Sequence, residues 1–265
     1  MGQEFPGVFA AQKKDGTVYY RASLTHQKKH ISLGSYPTAF IAHGAYLEGS
    51  ALLADTSLTI SAYSSRQVLP FGKWVCLINF RDNNIYFSTP IYVRKKYFEY
   101  YLTPKDILKF DIDDLFYYSS HKIMCRGRHF FVADYGMQIN IMSRYGIKNY
   151  AVRDRDYRFV NGDEMDFRYE NIEIFNSYHG VIRKETKNGT LYTARIHING
   201  NYLIGTYHSD VEAAIAYNKA IDLLKKAGVR KNFSPNYLEN LSPSSYADIY
   251  SKLHISKNIT DYLRV

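Results

Sequence analysis

The sequence predicts an α+β fold: two small modules, each a three-stranded antiparallel sheet with one helix, flank a mixed central domain. Three observations carry this expectation. Segments near the two ends of the chain repeat each other in order, the C-terminal copy alternates apolar and polar residues with a period of two, and each copy runs into an apolar stripe of helical spacing. The expected boundaries are 1–54 for the first module and 55–102 for a β-rich connecting region. Residues 103–177 form the central domain, 178–230 the second module and 231–265 a helical tail.

The repeat is read directly. Gly7-Val8, Tyr20-Arg21-Ala22-Ser23-Leu24, Leu33-Gly34-Ser35-Tyr36 and Ala42-His43-Gly44-Ala45-Tyr46 form one copy. Gly180-Val181, Tyr192-Thr193-Ala194-Arg195-Ile196, Ile204-Gly205-Thr206-Tyr207 and Ala213-Ala214-Ile215-Ala216-Tyr217 form the other. From Ser35/Thr206 to Tyr46/Tyr217 the offset is constant at 206 − 35 = 171.

In the C-terminal copy, Gly180 to Lys184 make a first strand that turns at Asn188-Gly189. Tyr192, Ala194, Ile196 and Ile198 alternate with Thr193, Arg195, His197 and Asn199, as in a half-buried strand. Asn199-Gly200 signals a tight hairpin into Tyr202-Leu203-Ile204. Ser209 or Asp210 can cap a helix over about Val211–Ala227, whose stripe is Ala213, Ala214, Ala216, Tyr217, Ala220, Ile221 and Leu224 and whose stop is Gly228.

Composition narrows the function. The chain has 265 residues, 46% of them hydrophobic, which is too many for a disordered polymer. Lys and Arg total 34 against 25 Asp and Glu, a formal charge of +9, and 26 Tyr and 15 Phe accompany a single Trp. A basic, Tyr-rich chain permits an anionic polymer as partner without requiring one. No apolar run approaches the roughly 18 residues that span a bilayer. The opening residues lack a signal peptide, and position six lacks the Ser or Thr that myristoylation favours. Cys76 and Cys125 are too few for a disulfide framework or a four-ligand zinc site. The expectation is a soluble cytoplasmic protein with no membrane partner and no cofactor.

The C-terminal copy resembles the Apetala/ethylene-response-factor type of DNA-binding domain. The resembling residues are Gly180-Val181, Tyr192-Thr193-Ala194-Arg195-Ile196, Gly205-Thr206-Tyr207, Glu212-Ala213-Ala214 and Ala216-Tyr217-Asn218. The resemblance implies a sheet laid in the major groove and backed by its helix, with Arg183, Lys184, Thr193, Arg195 and His197 as the DNA face. The N-terminal copy departs from the pattern: no arginine follows Gly7-Val8, and Ser23 stands where the other copy has Arg195. Its Lys13, Lys14, Arg21, Lys28, Lys29 and His30 suit phosphate contacts more than base reading.

Between the modules, Trp74 to Phe80, a turn at Arg81–Asn84 and Ile85 to Ser88 read as a hairpin, followed by a strand over Ile91–Leu102. Arg94-Lys95-Lys96 lies among tyrosines. Arg94 and Lys96 either clamp a nucleic-acid backbone or cap a strand buried on its other face. Thr103 to Asp106 begins a short helix or turn.

Tyr157 to Ile172 resembles the core of HNH endonucleases through Asn161-Gly162-Asp163, Asp166, Arg168 and Glu170-Asn171-Ile172. The resemblance implies a ββα fold and a history in homing elements of bacteria and phages. The family's Asp-His pair is replaced by Arg158-Phe159, its third position falls near Gly180, and the earlier histidine falls near Asn140. Phe accepts no proton and Arg repels a divalent cation, so no catalytic residue and no metal are expected. Asp154, Asp156, Asp163 and His179 are the set from which a metal site could be rebuilt, and Arg158 a candidate to hold the phosphate once cut.

The chain is therefore expected to be a sequence-specific duplex-DNA-binding regulator with a degenerate nuclease core. An active HNH-type endonuclease and a protein-binding inhibitor are the rival readings. Ser245–Leu253 and Ser256–Leu263 read as tail helices that pack on their own module, with homodimerisation as the alternative.

Overall fold

A computed structural model describes residues 5–262. They fall into two compact units: one runs to Ile141 and includes Asp163–Asn171, the other comprises Met142–Gly162 and everything from Ile172 onward. Small three-stranded antiparallel sheets with helices make the fold α+β.

The first unit opens with β1 (Val8–Gln12), β2 (Val18–His26) and β3 (Lys29–Tyr36), paired in that order, and α1 (Ala39–Ala54). Thr38 caps α1 by accepting the Ile41 amide at 3.3 Å. Val8 pairs with Ala22 and Ala22 with Gly34, so these residues share the face toward α1, where Ala22, Leu24, Ile31, Leu33, Ala42 and Ala45 are buried. The register shifts between Ala22 and Ser23.

The next element corrects the sequence expectation. Trp74 to Phe80 is not a strand but the body of helix α2 (Phe71–Asn83). Short apolar runs rich in β-branched and aromatic residues fit either structure. What decides is tertiary packing: Trp74, Leu77 and Ile78, spaced as one helical face, join the core of the first module, so that core extends past residue 54. Asn84, left-handed at φ 57°, ends the helix with its amide on the Phe80 carbonyl. Arg81 Nη1 donates to the carbonyls of Leu52, Asp55 and Leu58 at 2.6–3.0 Å, closing the C-terminal end of α1.

The expected long strand over 91–102 is instead a hairpin of β4 (Ile91–Val93) and β5 (Tyr97–Tyr101), extended by β6 (Ile107–Asp111). Buried Asn79 on α2 accepts the Val93 amide and donates to the Ile85 carbonyl, each at 2.8 Å. After the short α3 (Leu115–Ser120) comes a meander of β7 (Ile123–Arg126), β8 (His129–Asp134) and β9 (Met137–Asn140). Segment Asp163–Asn171 lies along β6, with the Lys109 amide on the Met165 carbonyl at 2.9 Å and the Phe167 amide on the Lys109 carbonyl at 2.8 Å. Phe110 stacks between Phe167 (5.6 Å) and Tyr118 (4.3 Å).

The second unit holds the hairpin of β10 (Tyr157–Phe159) and β11 (Ile172–Ile174). It continues with β12 (Val181–Thr186), β13 (Gly189–His197), β14 (Asn201–Tyr207) and α4 (Asp210–Lys226), capped by the Ser209 hydroxyl. Its core gathers Val181, Ala194, Ile196, Ile204, Ala213, Ala216, Tyr217 and Leu224. The tail forms α5 (Pro243–Lys252) and α6 (Lys257–Tyr262); Leu263 lies outside the described residues. Fully buried Ile259 joins the core of the second module, and Lys219 Nζ on α4 donates to the carbonyls of Tyr250 and Leu253 at 2.7 and 2.8 Å.

Two expectations for the HNH-like segment fail. No helix follows β11: the chain runs from Ile174 directly to β12, because Asn176 Nδ2 ties the connection to the Val181 carbonyl at 2.5 Å and Gly180, at φ 73°, turns it into a strand. Nor does 103–177 close on itself, because Asp163–Asn171 completes β6 while the flanking β10 and β11 pair in the other unit.

Candidate nucleic-acid interface

The two modules share details beyond element order. In each, one glycine with φ near +72° precedes the first strand, Gly7 in one and Gly180 in the other. The Gly7 carbonyl accepts the Ser23 amide at 2.9 Å, and the Gly180 carbonyl accepts the Arg195 amide at 2.8 Å. A helix tyrosine, Tyr46 or Tyr217, fills the space beside the glycine. The register shift falls between Ala194 and Arg195 in the second module, the position matching Ala22/Ser23 in the first. Ser23 and Arg195 are thus structural counterparts, one with a hydroxyl and the other with a guanidinium.

Register decides which expected residues share a face. In the second module Lys184, Thr193, Arg195 and His197 point away from α4, because the alternate residues Val181, Ala194 and Ile196 are buried against it. Lys184, Arg195 and His197 are exposed; Asn201 Oδ1 holds His197 Nδ1 at 3.1 Å. Thr193 is only 4% exposed, with its hydroxyl 3.5 Å from that of Thr206, so it shapes the face without offering a contact.

Arg183 is corrected. It pairs across the sheet with Tyr192, two residues from Val181, and so lies on the helix side. There it forms an ion pair with Glu185 and sits 5.8 Å from the Phe175 ring.

In the first module Arg21 pairs with Phe9 and Ser35 on the open face. Its Nη2 donates to the Tyr19 hydroxyl at 2.8 Å, and its guanidinium lies 5.5 Å from that ring. Phe9 is 58% exposed beside it. Phe9 and Tyr19, absent from the expected set, belong to this face too: the period of two places Tyr19 with Arg21, and strand pairing adds Phe9. Lys13 and Lys14 occupy the β1–β2 turn, and Lys28, at φ 63°, the β2–β3 turn; all three are exposed. Lys29 is corrected: it pairs with His26 on the helix side, and its ammonium lies over the Tyr86 ring at 5.9 Å.

Neither open face carries a carboxylate among the described residues of its strands, and Lys184, Arg195, Lys13, Lys14, Arg21 and Lys28 enter no ion pair among them. Elsewhere the expected arginines are already paired with carboxylates. Arg94 holds Glu99 at 2.8 Å and lies over Tyr92 at 4.3 Å. Of the two readings for that stretch, the capped strand therefore describes Arg94, while Lys96 stays exposed in the β4–β5 turn. Arg158 pairs across β10–β11 with Glu173 at 2.7 Å and stacks near Phe175, and its neighbour Phe159 is buried.

The carboxylates considered for a metal site are engaged separately. Asp156 is buried and accepts the Val152 amide (2.8 Å), Arg155 (2.6 Å) and Asn176 Nδ2 (2.9 Å). Burial alone would raise its pKa, but these donors hold the carboxyl below its usual range. Asp154 pairs with Arg153, and Asp163 belongs to the other unit, where it holds Lys109 at 3.0 Å. The His179 ring packs edge-on to Tyr150 (4.7 Å) and Tyr217 (5.4 Å), with no partner for its buried Nδ1 among the described residues. Among the described residues no group of three or more His, Cys, Asp or Glu is placed to hold a metal ion. No helix among them is long and apolar enough to cross a membrane.

Comparisons with family models, with curated proteins and with solved structures find no match for this chain.

Proposed function

We propose that the chain binds double-stranded DNA through the open sheet faces of its two modules, as a sequence-specific regulator whose HNH-like segment keeps motif residues but neither the catalytic pair nor the ββα fold. The observation that carries this reading is the set Lys184, Arg195 and His197, whose two cations enter no ion pair among the described residues, on a three-stranded sheet whose other side is filled by α4. Three strands spaced about 4.8 Å apart are about 10 Å wide between their outer strands, a fit for a major groove about 12 Å wide. Alternation aims Arg195 and His197 outward together, and the Arg195 fork suits the two acceptors on the edge of a guanine.

The first module contributes affinity in this reading. Ser23 replaces the arginine at the matched position, while Arg21, Lys13, Lys14 and Lys28 offer phosphate contacts. Linking two modules on one chain raises the effective concentration of the second and favours a composite site. Arg158 has no part in phosphate binding, since Glu173 already holds it. The replacement of the Asp-His pair by a salt-bridged Arg158 and a buried Phe159 supports binding without strand cleavage.

Selection from a random duplex library at fixed salt tests the reading. An enriched motif is expected, with affinity falling steeply as salt rises. Nicking of supercoiled plasmid that depends on Mg²⁺ and stops with EDTA would favour the endonuclease instead. Absence of any enriched sequence would favour a protein partner.

A further inference from the structure

The first unit contains a cleft of about 540 Å³ between α2, β4 and the chain that leads into α2. Its size is that of a small-molecule site, and its walls combine apolar rings with a few polar groups. Tyr63 and Phe71 form one side, with ring centroids 5.0 Å apart, and Ile60 and Ile107 add aliphatic surface. The polar side is built twice over. Asp82 accepts Arg81 Nε at 2.7 Å and the Tyr92 hydroxyl at 3.1 Å; Glu99 accepts Arg94 at 2.8 Å and the Tyr101 hydroxyl at 2.7 Å.

Asp82 is thereby occupied at both oxygens and Glu99 at Oε2, while the guanidiniums keep donors in hand. Arg81 spends Nε on Asp82 and Nη1 on three carbonyls, which leaves Nη2 unbonded; Arg94 spends Nε and Nη2 on Glu99, which leaves Nη1. Both guanidiniums stand beside Tyr92: Asp82 bridges Arg81 to its hydroxyl, and Arg94 lies 4.3 Å from its ring. Asp82 and Glu99 balance the two guanidiniums, so the cleft offers a ligand's carboxylate not a net charge but two sets of unspent N–H donors.

We propose that this cleft binds a small ring-bearing carboxylate, its ring against Tyr63 and Phe71 and its carboxylate on the free edges of Arg81 and Arg94. The site does not depend on the nucleic-acid reading and lies wholly within one unit.

The molecule carries its own reporter. Trp74 is the only tryptophan; it packs edge-on to Tyr63 at 5.6 Å and donates its indole N–H to the Thr59 carbonyl at 3.1 Å, and Tyr63 and Thr59 both line the cleft. Trp74 emission is titrated in the full chain with benzoate and, separately, with benzamide, its uncharged counterpart. Benzoate is expected to give a saturable change in the millimolar range proper to so small a ligand, with benzamide at least about tenfold weaker. Arg94→Gln should weaken benzoate about tenfold and leave benzamide unchanged. Ser61→Phe, at an exposed lining position, should abolish the change while the melting profile stays native. It carries the test if Arg94→Gln does not fold. No saturable response to benzoate, an equal response to benzamide, or an unaltered titration in Ser61→Phe overturns the proposal.

Discussion

The ring of Tyr217 occupies the space into which a Cβ on Gly180 would project, and the Arg195 carbonyl oxygen lies 2.6 Å from that same point. Gly180 also sits at φ +73°, where a side chain is strained in its own right. Gly180→Ala should therefore destabilise the second module by roughly 3 kcal/mol or more, combining left-handed strain with overpacking. Urea unfolding followed by circular dichroism measures this. Gly162→Ala supplies the control: its φ of +78° is similar but its Cβ meets nothing within 4 Å, so the smaller loss there isolates the packing part.

Arg195 and Lys28 should separate base reading from charge. Arg195→Ala should narrow the preference between best and random duplex by about 1–3 kcal/mol, the worth of a lost two-pronged contact. Lys28→Ala should weaken all sequences alike and reduce the slope of log affinity against log salt by about 1. Fluorescence anisotropy across a salt series reads both. Equal effects of the two changes would remove Arg195 from base recognition.

His179 should make the second unit sensitive to acid. Burial, aided by Arg155, holds its pKa below the usual value. The unfolded chain then takes up the proton first as pH falls. The stability due to the neutral ring is present above about pH 6.5 and is lost as pH falls toward the lower folded value. Denaturation midpoints should fall between about pH 7.5 and about pH 5, either side of the ordinary histidine value, and His179→Phe should flatten that part of the curve.

Ile259 tests the tail. Its side chain is fully buried in the core of the second module, and the Ser256 amide donates to the Ile204 carbonyl at 2.8 Å. Ile259→Ala should cost about 3 kcal/mol of unfolding free energy without altering the molecular mass measured by light scattering. A change in assembly with unchanged stability would restore the tail as a dimer element.

How much of this was legible depended on whether a signal was local. The second module could be read almost residue by residue, since alternation along β13, the Ser209 cap and the stripe on α4 are all properties of neighbouring residues. Helix α2 was not, because Trp74–Phe80 is apolar apart from Asn79, and only its packing against the first module selects a helix. The placement of Arg183 was available in principle: counting in twos from Val181 puts it on the helix side, but basic character outweighed parity. Ion pairing was beyond reach. Nothing near Arg158 in the sequence announces Glu173, fifteen positions on, and the partition of Asp163–Asn171 onto β6 rests on contacts with a strand more than fifty residues earlier.

The matched register shifts bear on how the two copies diverged. Gly180 to Ala194 is one residue shorter than Gly7 to Ala22, and Ala194 to Gly205 one shorter than Ala22 to Gly34, whereas Gly205 to Tyr217 and Gly34 to Tyr46 agree in length. The differences in length sit at the hairpin tips, and the irregular step beside Ala22 and Ala194 holds the same place in each copy. That step behaves as a keystone: fingertips can lengthen or shrink to suit what they grasp, while the palm behind them keeps one shape.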